Sequence, residues 1–538
     1  MANLPTIKKS KIPDYVTHVT ETIEKAGFEV FLVGGCVRDL IMDREPKDWD
    51  LTTNAKPEEV IPLFEKTIYE NKFGTVGVCM PIQADVTHET SDAININVSP
   101  ETKYHIIEIT PYRIEAKYSD FRHPEEVKFS DNIDDDLKRR DFTINALAYG
   151  SNGVIKDNFD GIKDIKDKVI RCVGNPNDRF QEDALRMLRA IRFSTELNFA
   201  VSYETMQAIS ENAELIKNIS FERIRDEFTK IIMSDNPIIG IGFMQKLGLL
   251  KYIIPELEEG IGCEQKGEHI YDVYEHLLHA LDHAAKKKWP LEIRLSALFH
   301  DIGKPRSRRD TLSAGRKDNL ERSGPSSSLV RGPSKSSFLP KTPKKQYTFY
   351  GHEVIGERLV KKIMERLRYS KDISDKVISF TRNHMFFSDT EKISLSAVRR
   401  IVQHVGKENI WDLMRVRECD RVGMKKVEAP YRLRKYHAMI EEVLHDPISV
   451  GQLAIDGNYL INTLHMKPGK RMGWILNALL EEVLDDPQKN TKEHLNELTK
   501  SLDMLGDEEL KTLGERGKEK KEKLEEEEIE KLHKKHGV

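Results

Sequence analysis

In this 538-residue chain, strand-like runs are confined to about the first 150 residues. Phe28–Val33 is rich in β-branched and aromatic residues, and Gly34–Gly35 closes it, which predicts a buried strand. Val37–Met42 reads as a helix and Asp48–Thr52 as a second strand. Pro57 opens another helix, since proline is tolerated in a first turn. Phe73–Met80 and Tyr104–Thr110 are further expected strands, with the polar stretch Pro81–Lys103 between them as a long hairpin tip. From about Gly161 the strand signals almost vanish and amphipathic helical periodicity runs on. The expected fold class is α+β: a small α/β head on a mixed, largely antiparallel sheet, followed by an all-α remainder.

At roughly 150 residues per domain, the length suggests three to four domains. Two segments break the helical part. Arg306–Gln346 holds nine Ser, eleven Lys/Arg, four Pro and only three Asp/Glu, the composition of a flexible basic loop. Residues 507–538 carry 20 charged side chains in 32, which reads as a solvated helix fraying at its end. There is no run of 18 apolar residues, so no membrane span is expected, and the N-terminal MANLPTIKKSK lacks the apolar core of a secretory leader. The five cysteines, Cys36, Cys79, Cys172, Cys263 and Cys419, show no CxxC spacing. A disulfide framework and a thiolate zinc site are thus unexpected, and a reducing, cytoplasmic location is expected. Lys plus Arg total 85 against 89 Asp plus Glu, a net charge of −4. That excludes nucleic-acid binding by gross positive charge, while leaving local basic stripes open.

The first constellation is Gly34-Gly35-Cys-Val-Arg38, then Asp48-Trp-Asp50. Two glycines between a strand and a helix let the backbone approach a ligand, and helix N-termini offer unpaired N–H groups to phosphate. Arg38 can add charge-assisted bonds. A tight turn would read the same way. Asp48 and Asp50, two apart on a strand, would share a face, repel, and call for a divalent cation. Glu108, in Ile106-Ile-Glu-Ile109, alternates to face the same place and is a candidate third acid, as is a plain cross-strand surface role. Further on, Asp183, Arg186, Arg189 and Arg192 step by three along an expected amphipathic helix, with Asp183–Arg186 as an i,i+3 pair. Three arginines against Glu182 and Asp183 leave a surplus suited to phosphates.

Residues 31–54, FLVGGCVRDLIMDREPKDWDLTTN, resemble the nucleotidyltransferase signature of bacterial class II CCA-adding enzymes and the related poly(A) polymerases. Family-like blocks follow in order: Arg139–Ala148, Asp160-Gly161 with Val173–Pro176, Arg179–Phe193, and Ser220–Glu227. The resemblance implies transfer of a nucleoside monophosphate from CTP or ATP to a tRNA 3′-hydroxyl. It implies two Mg²⁺ ions at Asp48 and Asp50, and phosphate contacts from Gly35, Arg38, Arg140, Arg189 and Arg192. Asp183 and Arg186 would read the base, and Asp141 would serve the ribose or order its loop. Ile114–Val127 resembles the family's mobile loop, which favours complete C, C, A addition. The long Pro81–Lys103 stretch departs from the family pattern. The closest alternative is a poly(A) polymerase; the mixed-charge tail, in place of a long basic one, speaks against it.

The second constellation lies in 276–420. His276, His279 and His283 share a helix, followed by His300-Asp301-Ile-Gly-Lys304-Pro, then His352, His384 and Asp420. Imidazoles and carboxylates on several helices can bind one or two first-row divalent metals. The pattern resembles an HD phosphohydrolase domain, with His276, His300, Asp301 and Asp420 as expected ligands of a divalent transition metal. His352 and His384 are candidate additions, and a degenerate helical scaffold is the bland alternative. A reading from another class makes the chain chiefly an HD hydrolase whose head only binds RNA. Near the C-terminus, Lys467, Lys470 and Arg471 beside Gly469 resemble a tRNA-gripping surface, and a basic helical hairpin fits them too. The expected division is a head at 1–150, a neck at 151–195, a body at 196–262, an HD domain at 263–438 with its 306–346 insertion, a C-terminal region at 439–506 and a tail at 507–538. The oligomeric state is not fixed by the sequence.

Overall fold

A computed structural model describes residues 7–70, 74–82, 104–115, 127–265, 269–310, 347–387, 394–423, 430–446 and 449–513. Most of the 81–103 stretch, of the 114–127 loop, of the 306–346 segment and of the charged tail lies outside them. The chain divides into two compact units, Met1–Ile253 and Ile254–Val538.

In the first unit seven strands form one sheet: β1 (Val30–Val33), β2 (Asp50–Thr53), β3 (Thr67–Glu70), β4 (Thr75–Pro81), β5 (Tyr104–Pro111), β6 (Leu147–Gly150) and β7 (Ile155–Asp157). Their spatial order is β3-β4-β5-β2-β1-β6-β7. The β2–β5 pair is parallel and the others are antiparallel, the mixed sheet expected from the sequence. On β5, Ile107 and Ile109 are fully buried while Ile106 and Glu108 are exposed, so one face is covered and the other open. Leu32, Leu51, Val76 and Val78 bury alongside them.

The chain leaves β1 through Gly34, whose φ of 76° disfavours a side chain, and enters helix α1 (Gly35–Ile41). Two expectations need correction. Asp48 is not on a strand: Lys47 and Asp48 form a bend behind Pro46, and ladder pairing begins at Asp50. The stretch 182–192 is not one helix either. Helix α2 (Pro176–Glu182) stops at Asp183, whose backbone is extended (φ −146°, ψ 103°), and α3 (Leu185–Leu197) starts anew. The Asp183 carboxylate promotes that break by accepting the Leu185 N–H at 3.1 Å, the local side-chain bond that competes with helix continuation. Helix α4 (Phe221–Met233) packs against α3.

Beyond residue 161 the described strands are two-residue pairs, Val169–Ile170 with Ala200–Val201 and Arg309–Asp310 with Tyr347–Thr348. The second unit is otherwise helical. Helices α5 (Val273–Lys286), α6 (Leu291–Phe299), α7 (His352–Arg366), α8 (Lys371–Asn383) and α9 (Ile410–Asp420) carry the second constellation, with His300, Asp301 and His384 just past the ends of α6 and α8. Ala280, Ile293, Ala297, Phe380, Leu413 and Val416 fill the space between them. Helices α10 (Lys470–Asp485) and α11 (Lys492–Asp503) close the C-terminal part around Ile475, Leu479, Val483 and Leu495. Among the described residues no helix is long and apolar enough to cross a membrane.

Candidate functional site

The head brings the Gly-Gly turn, Arg140 and Asp50 together. A Cβ on Gly34 would lie 2.8 Å from Nη1 of Arg140, so the glycine makes room for that guanidinium. Arg140 is itself held by the buried Asp136 carboxylate, Nη2–Oδ2 3.1 Å, which also takes Arg139. Burial raises the pKa of Asp50; the Arg140 charge opposes the rise and Asp48 adds to it, the signature of two nearby carboxylates. Glu108 is the register partner of Asp50 across the parallel β2–β5 pair, so the two side chains leave the same face. Even so, among the described residues Asp48, Asp50 and Glu108 do not bring three ligand atoms within 4.8 Å of one another. The donor set, two to three carboxylates with the Arg140 guanidinium beside them, suits a hard cation that takes its remaining ligands from other molecules and water.

The other expected phosphate ligands are engaged within the protein. Arg38 is buried, donating from Nη1 to Asn145 Oδ1 at 2.8 Å and from Nε to Asp39 Oδ1 at 2.9 Å. Arg189 donates to Asp141 Oδ2 at 2.7 Å and lies 3.8 Å from Glu227. Arg192 pairs with Glu227 at 2.6 Å and Glu196 at 3.1 Å. Burial opposes ionisation of Asp141, but Arg189 and Arg186 outweigh it and hold its carboxyl at about 2. The surplus of positive charge read from three regularly spaced arginines is therefore largely compensated by Asp141, Glu196 and Glu227. None of these acids lies between the arginines in sequence.

Asp183 and Arg186 sit on either side of the α2–α3 break and do not pair in the expected i,i+3 manner. Arg186 Nη1 donates to Glu182 at 2.6 Å and Nη2 to the Arg139 carbonyl at 3.2 Å. Asp183 instead takes both prongs of Arg223, from α4, at 3.2 and 2.7 Å. No local spacing points to Arg223 for this task, because its partner is 40 residues away.

In the second unit, Nε2 of His276 and Nε2 of His300 approach to 3.1 Å, and Asp301 Oδ2 lies 3.4 and 3.3 Å from them. Asp420 Oδ1 is 3.5 Å from His300 Nε2. On the other side, Asp301 Oδ1 lies 3.2 Å from His352 Nε2 and 3.4 Å from His384 Nε2. Two groups of ligand atoms thus converge, His276–His300–Asp301–Asp420 and Asp301–His352–His384, sharing the fully buried Asp301. Each imidazole turns Nδ1 toward a backbone carbonyl: Val422 for His276, Ala297 for His300, Phe349 for His352 and Thr381 for His384. That bond fixes the tautomer and leaves Nε2 as the ligating nitrogen. Both Asp301 oxygens are buried, Oδ1 facing His352 and His384 and Oδ2 facing His276, His300 and Lys304. Imidazoles converging on a buried carboxylate fit divalent cations, with His300, whose pKa burial lowers but Asp301 and Asp420 raise to about 9, releasing its proton as the metal binds. Burial disfavours the charge on Asp301, yet Lys304, 2.5 Å away, and His300 keep its carboxyl well below the usual range.

Gly303 permits this convergence, because a Cβ there would lie 2.1 Å from the His352 carbonyl oxygen. His279 and His283 stay outside it, one stacked on Tyr271 and the other paired with Glu418 at 2.9 Å. His269, not singled out from sequence, packs its ring against His276 with Nδ1 buried and unbonded. Nothing in its sequence neighbourhood could have flagged it.

Lys467 and Lys470 are exposed, whereas Arg471 bridges Asp503 at 3.3 Å and Asp507, and donates to the Asp503 and Leu505 carbonyls. Arg471 thereby clasps the C-terminal helices.

Residues 30–171 match the family model of the poly A polymerase head domain, and 198–261 that of the probable RNA and SrmB-binding site of polymerase A. Residues 268–422 match the HD domain, and 353–499 match tRNA nucleotidyltransferase domain 2. The CCA-adding enzyme of Lactobacillus helveticus is 46% identical over 228 residues, 42% of this chain and 52% of the relative. That of Limosilactobacillus reuteri is 40% identical over 240 residues, 45% of this chain and 54% of the relative. The chain thus spans about half the length of the curated relatives it matches. Among solved structures, the Bacillus stearothermophilus CCA-adding enzyme in complex with CTP superposes with a TM-score of 0.61 at 23% identity, covering 91% of this chain and 98% of that one. The Thermotoga maritima CCA-adding enzyme complexed with tRNA gives 0.52 at 18%, covering 92% and 98%. These likenesses establish a shared fold.

Proposed function

We propose that this chain, whose head belongs to the poly(A) polymerase head-domain family and is followed by an HD domain, is a CCA-adding tRNA nucleotidyltransferase. It adds C, C and A from CTP and ATP to the tRNA 3′ end, releasing pyrophosphate. One observation carries the reading: a single compact unit holds Asp48 and Asp50 beside Arg140, and Asp183 and Arg186 on either side of a helix break. The names and fold of its relatives support it.

Mg²⁺ held by Asp48 and Asp50, with Glu108 as a third acid, would supply charge compensation for the triphosphate and activation of the 3′-hydroxyl. The chain's own residues do the rest. Gly34–Gly35 open the backbone to the phosphates, and Arg140, fixed by Asp136, adds positive charge at that turn. Arg38, Arg189 and Arg192 hold that framework through their carboxylate and amide partners, and reach the triphosphate only by exchanging one of them. Asp183 accepts from the exocyclic amino group of cytosine or adenine while Arg186 donates to the adjacent ring nitrogen. Uracil and guanine reverse that pattern and would leave both partners opposed. Lys467 and Lys470 are the proposed contacts to the tRNA backbone. The buried, unpaired cysteines fit the proposed cytoplasmic location. The HD domain is read as carrying a second, metal-dependent phosphohydrolase activity at His276, His300, Asp301 and Asp420, supported by the convergence of their ligand atoms.

The test is a terminal-addition assay on tRNA ending at the discriminator base, with CTP and ATP together and singly. Cytidine incorporation followed by one adenosine is expected. Long adenosine tracts without cytidine would replace this reading with a poly(A) polymerase.

A further inference from the structure

Base reading by a carboxylate needs that carboxylate at a fixed angle, and Asp183 is not fixed by its own helix. Its backbone lies in the extended gap between α2 and α3. Arg223 meets it fork to fork, Nη1 to Oδ1 at 3.2 Å and Nη2 to Oδ2 at 2.7 Å, and the Leu185 N–H adds a third donor to Oδ1 at 3.1 Å. A carboxylate offers about four acceptor positions, two on each oxygen. Among the described residues, Oδ1 is therefore filled and Oδ2 keeps one. A bidentate guanidinium also fixes the carboxylate plane, so the remaining lone pair has one direction. The donor half of the pair is braced separately, Arg186 being held by Glu182 and the Arg139 carbonyl.

We propose that Arg223 is a positioning residue for nucleotide selectivity: it leaves Asp183 a single directed acceptor, matched to one amino hydrogen of cytosine or adenine. The inference rests on Asp183 reading the base. A base carbonyl at that position, O4 of uracil or O6 of guanine, meets a lone pair with no donor at hand. Without the fork the carboxylate rotates, a water can bridge it to a carbonyl, and the wrong bases regain entry. The charge of Arg223 alone is insufficient, since a lysine would hold one oxygen and leave the plane free.

The experiment uses the full chain and measures kcat and KM for CTP against UTP on tRNA ending at the discriminator base. ATP against GTP is measured on tRNA ending in CC. The variants are Arg223→Met, Arg223→Lys, Asp183→Ala and the Asp183→Ala/Arg223→Met pair. Arg223→Met should cut the selectivity ratio at least tenfold, mainly through a higher KM for the correct nucleotide, with Arg223→Lys intermediate. In the Asp183→Ala background, adding Arg223→Met should change the ratio less than twofold. A ratio unaltered by Arg223→Met, an equal loss with all four nucleotides, or a further loss in the Asp183→Ala background would each overturn the inference. If Asp183→Ala itself leaves selectivity intact, the base-reading role fails, and the inference with it. Melting curves establish that the variants fold; should Arg223→Met not fold, Arg223→Lys carries the same criterion.

Discussion

Asp141 shows how strongly one side chain here depends on its partners. It is buried, bonded to Arg189, to Asn145 and to the Phe142 N–H, and its carboxyl is held at about 2. An unfolded aspartate titrates near 3.9, so this ionised form stabilises the fold fully above about pH 4. The contribution fades as pH falls from there toward 2. Replacing it with asparagine, which leaves Arg189 short of a charge partner, should cost roughly 2–4 kcal/mol at neutral pH. Urea melts at pH 7 and near pH 2.5 check this: the wild-type and Asp141→Asn curves should be well separated at the first and converge at the second. Curves equally separated at both would mean that Asp141 acts through shape and not charge.

At the scale of elements, β1, β2, β4 and β5 were legible because apolar, β-branched runs are a local property, whereas the short β3, β6 and β7 were not expected and are placed by their sheet partners. The Gly34–Gly35 turn was legible because a strand ended there. The break at Asp183 was not. Side-chain spacing over 182–192 is that of one helix, and the interruption comes from a capping bond to Leu185 and from Arg223, distant in sequence. The HD ligands could be read as residue types, but their sorting into two groups around Asp301 depends on helices that only the tertiary fold assembles. At Gly303 the backbone of α7 packs directly on the 300–304 turn. Gly303→Ala would push a methyl into the His352 carbonyl and part α7 from the 300–304 turn. Purified Gly303→Ala protein, assayed by elemental analysis, should hold at most half the divalent metal of the wild type while terminal addition continues. Full metal content in that variant would show that α7 shifts without moving its histidine.

Across the whole molecule, two sets of acidic residues in separate compact units make separable demands. Asp48→Ala with Asp50→Ala should abolish nucleotide addition and leave hydrolysis of a phosphoester substrate at the HD site. His300→Ala with Asp301→Ala should do the reverse. Loss of both activities in either double variant would refute the assignment of one chemistry to each unit.

The first unit also contains a continuous polar chain. Arg38 bonds to Asn145, Asn145 to Asp141, Asp141 to Arg189, Arg189 neighbours Glu227, and Glu227 holds Arg192. Donors and acceptors alternate along it from α1 to α4, so every internal member answers to two neighbours. Such a chain constrains how the sequence can drift. Removing one member strands a buried charge, whereas exchanging adjacent members together for apolar residues of similar volume does less harm. Tolerated changes at these positions should therefore arrive in pairs, and a library randomised one residue at a time would see a rigidity that a library randomised two at a time would not.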